Sequence, residues 1–184
     1  FLSVLSKENK IIGITGTHGK TSTTALLAHI FHYNEINVSY IYGGMTSFHG
    51  IGGHYGDGDQ PIVLETDEAF NTFKDIDIDD LLVTNIDVDH LDFFKTFNNL
   101  IKAFEHVIKN VKGNLVLNYD DQNLRELNIK KNFVKYSSSS DETDIKIKFP
   151  NKVTIENNDY FIDTKLIGSH FISNISGAIA LAIL

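Results

Sequence analysis

The sequence contains no cysteine, only one methionine and only two prolines among its 184 residues. Without cysteine the chain has no disulfide framework, no thiolate zinc site and no cysteine nucleophile, and this composition fits a reducing, cytoplasmic location. No apolar run approaches the roughly 18 residues that a transmembrane helix needs, and the first residues lack the pattern of a signal peptide. We therefore expect no contact with a membrane.

Positive charge is also scarce, since 16 Lys and Arg stand against 24 Asp and Glu and the formal net charge is −8. Proteins that bind nucleic acid need a basic surface, so we expect no nucleic-acid partner. A small anionic ligand is not excluded, because one loop and one metal ion can neutralise its charge. The length suits one domain, and the start without Met and the apolar ending GAIALAIL suggest a piece of a longer protein.

Short apolar runs that alternate with helical patterns predict an α/β fold of P-loop type, with a mainly parallel sheet and helices on both faces. The predicted strands are Ile11–Thr15, Val38–Tyr42, Pro61–Glu65, Asp80–Thr84, Asn114–Asn118 and Phe133–Tyr136, and the predicted helices are Thr21–Tyr33, Thr96–Val111, Asp120–Leu127 and His170–Leu184. Gly43–Asp59 is rich in glycine and is predicted to be a loop. After the polar run SSSSDETD, three alternating segments predict a small antiparallel β-appendage.

A phosphate-binding loop is predicted where the first strand meets the first of these helices, in the stretch GITGTHGKTSTT. Gly16 and Gly19 allow successive backbone N–H groups to face an anion, and the helix adds its positive N-terminal end. Lys20 supplies a cation for terminal phosphates, and the Thr21 hydroxyl can coordinate Mg²⁺. Ile14 stands where the usual G-x-x-x-x-G-K-[ST] pattern has glycine, so the loop pattern alone leaves open a glycine-rich turn with an incidental lysine.

Acidic residues lie at the ends of two of the predicted strands, Pro61–Glu65 and Asp80–Thr84. Glu65 ends one strand, so its carboxylate is expected to face the phosphate loop across the carboxyl edge of the sheet. After the other strand come His90 and three aspartates, of which Mg²⁺ could use only a few as ligands; a helix cap is the alternative for Asp87, Asp89 and Asp92. Histidine is an unusual ligand for Mg²⁺, so His90 suggests a second cation site or one that accepts Mn²⁺.

Four blocks in this order resemble the central ATP-binding domain of the Mur ligases of peptidoglycan synthesis. They are GITGTHGKTSTT, VLETDEAFNTF, LLVTNIDVDHLDFF and GSHFISNISGAIALA. The resemblance spans nearly the whole chain, so residues 1–184 are interpreted as one such domain. It implies that the family's N-terminal UDP-binding domain and C-terminal amino-acid-binding domain are absent from this chain, and that this piece alone is inactive.

The resemblance also implies ATP and two Mg²⁺ ions as cofactors. Residues implied to bind ATP are Gly16, Thr17, His18, Gly19, Lys20, Thr21 and Ser22 in the loop, with His170 and Asn174 at adenine. Thr21 and Glu65 would bind one metal ion, and Glu65 and His90 the second. Lys20, Glu65 and His90 are the implied catalytic residues. His18 and Asn85 would lie near the substrate.

Within the family, His18 and the ETDE block are similar to members that attach L-alanine, or a recycled tripeptide, to UDP-N-acetylmuramate. The implied reaction is ATP-driven amide formation between UDP-N-acetylmuramate and L-alanine through an acyl phosphate. An ungapped count places Phe104 where several members carry a carbamylated metal-binding lysine, although Lys102 is two residues away. Phe171 and Phe70 depart from the family's pattern, where an asparagine and an acid are usual.

Three alternatives to L-alanine addition stay open. The tripeptide-recycling ligase would share all four blocks. A ligase outside cell-wall synthesis, such as a folylpolyglutamate or cyanophycin enzyme, is disfavoured by His18 and Phe104. A non-catalytic nucleotide-binding module or a P-loop GTPase is the third, and a GTPase would need an N-K-x-D motif that the sequence lacks.

Overall fold

The computed structural model describes residues 2–45, 48, 50, 52–68, 73–89, 91–140, 142–166 and 168–184, with only the backbone of Leu91. Helices and strands alternate along most of the chain. The elements are α1 (Leu2–Glu8), β1 (Ile11–Thr15), α2 (Lys20–Tyr33), β2 (Ser39–Ile41), β3 (Gly53–His54), β4 (Ile62–Glu65), β5 (Asp80–Val83), α3 (Leu91–Phe94), α4 (Phe97–Asn110), β6 (Leu115–Asn118), α5 (Gln122–Glu126), β7 (Val134–Ser137), β8 (Ile145–Lys148), β9 (Lys152–Ile155), β10 (Asn158–Phe161) and α6 (Ser169–Ala182).

One sheet holds all of these strands, in the order β10-β9-β8-β7-β6-β5-β1-β4-β2-β3. The strands from β8 to β2 in this order run parallel to their neighbours. The predicted α/β fold with a mainly parallel sheet is confirmed. The loops that follow β1, β4, β5, β6 and β7 therefore emerge at one edge of the sheet, where ligands of such folds bind.

Helices cover both faces of the sheet, because alternate residues of each buried strand point to opposite sides. On one face, Leu27 of α2 and Ala178 of α6 pack with Ile14 and Leu82 of the sheet. On the other face, α4 and α5 pack against residues such as Leu81, Val83 and Leu115. The apolar spacing of α4 predicts this burial, and its N-cap Thr96 accepts a hydrogen bond from the Asn99 amide at 3.2 Å.

The antiparallel strands near the C-terminus continue the main sheet. β8 pairs with β7 in parallel, with Tyr136 opposite Ile145, and only β9 and β10 then add antiparallel to it. Glu156 and Asn157 both have positive φ values, 49° and 67°, in the tight turn between β9 and β10; such a two-residue turn matches the twist of a hairpin. The predicted β-appendage is thus present as an extension of one edge.

Three elements, α1, β3 and α3, have no sequence prediction. The short helix α1 uses the Ser6 hydroxyl to accept a hydrogen bond from the Asp77 amide at 3.1 Å, and the two-residue strand β3 pairs with β2 inside the glycine-rich segment. The last helix, α6, has Gly168 as its N-cap and spans Ser169–Ala182, close to the predicted range of His170–Leu184. None of the helices in the described ranges has the length and apolar character that crossing a bilayer requires.

Candidate nucleotide-binding site

The loop between β1 and α2 needs glycine at two positions. Gly16 has a φ of 134°, and a Cβ atom there would overlap the Thr84 hydroxyl and the backbone of Asn85. Gly19 has a φ of 84°, and a Cβ there would lie 2.7 Å from Oδ1 of Asn174. Side chains rarely adopt these backbone conformations. The two glycines that the sequence singles out therefore let the loop lie tightly between β5 and α6.

Hydrogen bonds fasten the loop to the residues after β5. The Thr84 hydroxyl donates to the His18 carbonyl at 2.7 Å. The Asn85 side chain accepts from the His18 amide at 2.8 Å and donates to the His18 carbonyl at 2.9 Å. The Thr17 amide also donates to the Asn85 carbonyl at 3.1 Å. Asn85 thus positions the loop, and its contact with a substrate stays a prediction.

Lys20, at the start of α2, is held by a buried carboxylate that the sequence did not single out. Its Nζ lies 3.2 Å and 2.9 Å from the two oxygens of Glu68, and 2.8 Å from the Gly16 carbonyl. The Glu68 side chain is only 1% exposed and that of Lys20 13%. Glu68 is the second glutamate of the ETDE block, and its distance of three residues from Glu65 was the only available signal.

The charge of Glu68 depends on this contact. Burial raises the pKa of its carboxyl above the ordinary value, and the backbone and Lys20 hydrogen bonds oppose that rise without cancelling it. A buried carboxylate needs a partner to remain ionised. The ammonium group of Lys20 therefore serves as the counter-ion of Glu68 as well as a cation beside the loop.

Thr21 and Glu65 meet as the sequence predicts. The Thr21 hydroxyl donates to Oε1 of Glu65 at 2.8 Å, and the Gly43 amide donates to Oε2 at 2.8 Å. A hydroxyl and a carboxylate in contact at the end of β4 are oxygen ligands of the type that Mg²⁺ prefers, with water completing the shell. These residues therefore fit a magnesium ion.

The predicted second metal site rests on His90, which lies outside the described residues, as does Phe70. The described ranges contain no cluster of three or more His, Asp or Glu side chains suited to a metal ion. Asp87 lies near the loop, with its Oδ2 3.6 Å from Nε2 of His18, and both side chains are mostly exposed. Phe104 is fully buried in the core against Phe73, while Lys102 is exposed on the other side of α4.

A cavity of about 670 Å³ opens beside the loop, a volume within the usual range for small-molecule sites. Four parts of the chain enclose it: the phosphate loop, the ends of β5, β6 and β7, the turn after β8 and the start of α6. The lining residues are His18, Gly19, Thr84, Asn85, Asn118, Asp120, Ser138, Ser139, Phe149, Ser169, His170, Ser173 and Asn174. The structure thus brings the predicted residues His18, Asn85, His170 and Asn174 to one cavity.

Asp120 forms a polar cluster on the wall of this cavity. It accepts hydrogen bonds from the hydroxyls of Ser137, Ser138 and Ser139, and from the amides of the last two. Burial alone would raise the pKa of Asp120, but these hydrogen bonds outweigh it and hold the pKa below the ordinary value. The cap of α5 is Asp121, which accepts from the Leu124 amide at 2.8 Å, and not Asp120, at which the sequence predicts the start of this helix. The side chain of Asp120 therefore accepts hydrogen bonds from the three serines and does not cap α5.

Ser22 and Phe171 line a second, smaller and more apolar cavity of about 230 Å³ between α2 and the start of α6. Ser22 is predicted to bind cofactor, and Phe171 stands where the resembling family has asparagine. The Phe171 ring lies 4.3 Å from the ring of His170, which lines the larger cavity. Phe171 therefore places an aromatic ring beside His170 where the family has an asparagine side chain.

Comparison with known proteins agrees with this arrangement. A UDP-N-acetylmuramate–L-alanine ligase of Methylocella silvestris is 37% identical over 128 residues, which are 68% of this chain and 27% of that protein. This chain thus spans about a quarter of the length of the curated relatives that it matches.

Solved structures share the fold. UDP-N-acetylmuramate:L-alanyl-γ-D-glutamyl-meso-diaminopimelate ligase from Neisseria meningitidis superposes with a TM-score of 0.85 at 20% identity, covering 99% of this chain and 64% of that one. UDP-N-acetylmuramate–alanine ligase from Thermotoga maritima gives 0.82 at 25% identity, covering 98% and 43%. A MurF ligase from Thermotoga maritima, solved with ADP, gives 0.70 at 21% identity, covering 97% and 47%.

The family model of the Mur ligase middle domain matches residues 14–182, from the end of β1 to the end of α6. This match contains the phosphate loop, Glu65, Glu68 and the whole cavity wall described above. The chain therefore belongs to the Mur ligase middle-domain family.

Proposed function

We propose that this chain is the ATP-binding central domain of a ligase that joins L-alanine to UDP-N-acetylmuramate through an acyl phosphate. The observation that supports it most directly is the meeting of Lys20, Thr21 and Glu65 at the carboxyl edge of the sheet, next to a cavity of nucleoside size. The choice of substrates is supported by relatives with the name UDP-N-acetylmuramate–L-alanine ligase.

ATP would lie with its phosphates over the loop and its adenosine in the 670 Å³ cavity. The first N–H groups of α2 have no partner within the helix, so they and the helix dipole attract an anion. Lys20 would turn from the Gly16 carbonyl toward the terminal phosphates. His170 and Asn174, which line the same cavity, would contact adenine.

Magnesium bound by Thr21 and Glu65 would neutralise charge on the β- and γ-phosphates. The described residues fit this ion because Thr21 and Glu65 already share one hydrogen bond and provide only oxygen ligands. His90 remains the proposed ligand, together with Glu65, of a second divalent cation, either Mg²⁺ or Mn²⁺.

The reaction would proceed in two steps. A carboxylate oxygen of UDP-N-acetylmuramate attacks the γ-phosphorus, the bond to the β–γ bridging oxygen breaks, and ADP leaves with that electron pair. The amine of L-alanine then attacks the acyl carbon, giving a tetrahedral intermediate that expels inorganic phosphate and loses a proton to solvent. Lys20 stabilises charge on the transferred phosphoryl group, and the loop holds it in line.

We further propose that this domain acts with an N-terminal UDP-binding domain and a C-terminal amino-acid-binding domain of the same polypeptide. The relatives are about four times as long as their matched segments, which leaves room for both. The chain alone would then bind nucleotide without completing the ligation, because the acceptor amine would come from another domain.

ADP release by the complete polypeptide tests the proposal. With UDP-N-acetylmuramate as acceptor, L-alanine should support turnover, while glycine and the tripeptide L-alanyl-γ-D-glutamyl-meso-diaminopimelate should not. Lys20→Ala and Glu65→Ala should each lower turnover by at least about a hundredfold, since each removes charge stabilisation in the transition state. Near-normal ADP release from either variant would refute the phosphate and metal assignments, and preference for the tripeptide would identify a recycling ligase instead.

A further inference from the structure

The hydrogen bonds made by the serines after β7 determine which kind of ligand group these residues can contact. Ser138 donates its hydroxyl proton to Oδ2 of Asp120 at 2.8 Å, and Ser139 donates to Oδ1 at 2.7 Å. A serine hydroxyl has one proton to donate and two lone pairs that accept. Since an ionised carboxylate can only accept, both hydroxyl protons are committed to Asp120.

Asp120 stays ionised across the physiological range. Five donors from Ser137, Ser138 and Ser139 converge on its two oxygens, and they hold its pKa below the ordinary value in spite of partial burial. The Asp120 amide in turn donates to Oδ1 of Asn118 at 3.1 Å, which fixes the start of the segment. The direction of the serine hydroxyls is therefore set by the protein before any ligand arrives.

Ser138, Ser139 and Asp120 all line the same cavity as His170 and Asn174. With their protons turned to Asp120, the two hydroxyls can offer a ligand only lone pairs. This wall consequently favours ligand groups that donate hydrogen bonds, and it disfavours a carbonyl oxygen, which would face a second acceptor.

We propose that Ser138 and Ser139, oriented by Asp120, are specificity-determining residues that select the nucleotide by its hydrogen-bond donors. The donors of this kind on ATP are the exocyclic amine of adenine and the ribose hydroxyls. The proposal rests on the proposed function, because it assumes that a nucleoside triphosphate occupies the cavity. It concerns residues that neither hold phosphate nor touch the reacting atoms.

Nucleotide affinities of the intact protein test this selection. Dissociation constants are measured by titration calorimetry for ATP, for inosine triphosphate, in which a carbonyl oxygen replaces the amine, and for 2′-deoxy-ATP. The wild-type protein should bind ATP about tenfold more tightly than at least one of the two analogues, the ratio that one hydrogen bond provides. Loss of affinity for inosine triphosphate assigns the wall to the base, and loss for 2′-deoxy-ATP assigns it to the ribose.

The double variant Ser138→Ala/Ser139→Ala should bring the ratio between the dissociation constants of the analogue and of ATP close to one. Ser140→Ala is the matched control, because Ser140 belongs to the same run but does not line the cavity, and it should leave the ratio unchanged. Asp120→Asn should reduce or reverse the preference, since an amide group can donate to one serine and release its proton toward the ligand. Circular dichroism confirms that each variant is folded.

A purely structural role for the serines would weaken binding of all three nucleotides equally and leave every ratio at its wild-type value, and that result overturns the inference. Equal wild-type affinity for all three nucleotides overturns it as well. Failure of the folded wild-type protein to bind ATP at all would instead overturn the proposed function, so the two outcomes are distinguishable.

Discussion

Replacing Lys20 with methionine tests whether the contact between Lys20 and Glu68 is a buried ion pair with an energetic role. Methionine keeps most of the aliphatic stem and removes the ammonium group. It leaves the Glu68 carboxylate, 1% exposed, without the cation that now lies 2.9 Å from its nearer oxygen. Breaking a buried pair by removing one partner typically costs about 3–5 kcal/mol, because the remaining charge stays buried. A loss of about this size at pH 8 would use a large part of the stability of an ordinary domain.

The loss should be smaller at low pH. Burial already raises the pKa of Glu68 above its ordinary value with Lys20 present, and removal of Lys20 raises that pKa further. A carboxyl with a higher pKa in the folded state binds more protons there than in the unfolded chain. Stability of the variant therefore falls as the pH rises from about 4.5 through the folded pKa, and protonation of Glu68 at pH 5 should recover part of the loss.

Urea denaturation at pH 5 and pH 8, followed by circular dichroism, measures both effects. Lys112→Met is the matched control, since its Nζ lies 3.7 Å from Oδ2 of Asp77 and both side chains are about half exposed; an exposed pair of this kind contributes at most about 1 kcal/mol. Adding Glu68→Gln to Lys20→Met should restore stability at pH 8. Equal losses for Lys20→Met and Lys112→Met, or a loss that does not change with pH, would refute the reasoning.

Three further predictions concern the loop, the metal ligands and the serine cluster. Gly16→Ala should lower the free energy of unfolding by about 2–5 kcal/mol through strain and overlap. Gly53→Ala should cost less than about 1 kcal/mol, because a Cβ at Gly53 meets no atom within 4 Å. Chemical denaturation compares the two variants. Glu65→Gln should raise the Mg²⁺ concentration needed for half-maximal ATP binding at least about tenfold, and an unchanged requirement in calorimetry would contradict the role of Glu65. The stability that ionised Asp120 contributes should be present above about pH 4 and lost as the pH falls through its lowered folded pKa, so thermal melting of the wild type and of Asp120→Asn should converge in acid and separate at pH 7.

The parallel core could be predicted from the sequence because its signals are local. The strands β1, β4, β5 and β6 are short apolar runs that end in polar residues, and α4 repeats its apolar residues at helical spacing. The parallel pairing of β8 with β7 could not be predicted from such local signals. It depends on the register between Tyr136 and Ile145 across a polar loop, and no pattern within either segment specifies which edge the later strand joins.

The candidate site likewise contains some residues that the sequence singles out and others that it does not. Glycine, lysine and threonine in the loop, and Glu65 at the end of a strand, stand at positions that the predicted strands and helix bring to the same edge of the sheet. Glu68 and Asp120 were missed because an acid after a buried strand has the same appearance whether it caps a helix, binds a metal or partners a lysine. What separates these cases is burial and the identity of the donor, Lys20 for one and three serines for the other, and both depend on the assembled sheet.

The walls of the larger cavity come from parts of the chain that are far apart, from His18 after the first strand to Asn174 in the last helix, with Phe149 of the turn after β8 between them. Because these segments lie far apart in the chain, the complete cavity forms only when the sheet is assembled from β1 to β8 and α6 is docked. A ligand that binds there would therefore stabilise the folded domain: at a concentration 100 times its dissociation constant it would add about 2.7 kcal/mol to global stability. The shift of a melting curve on addition of nucleotide would thus report the intactness of segments remote from the phosphate loop, such as the turn after β8 and the start of α6.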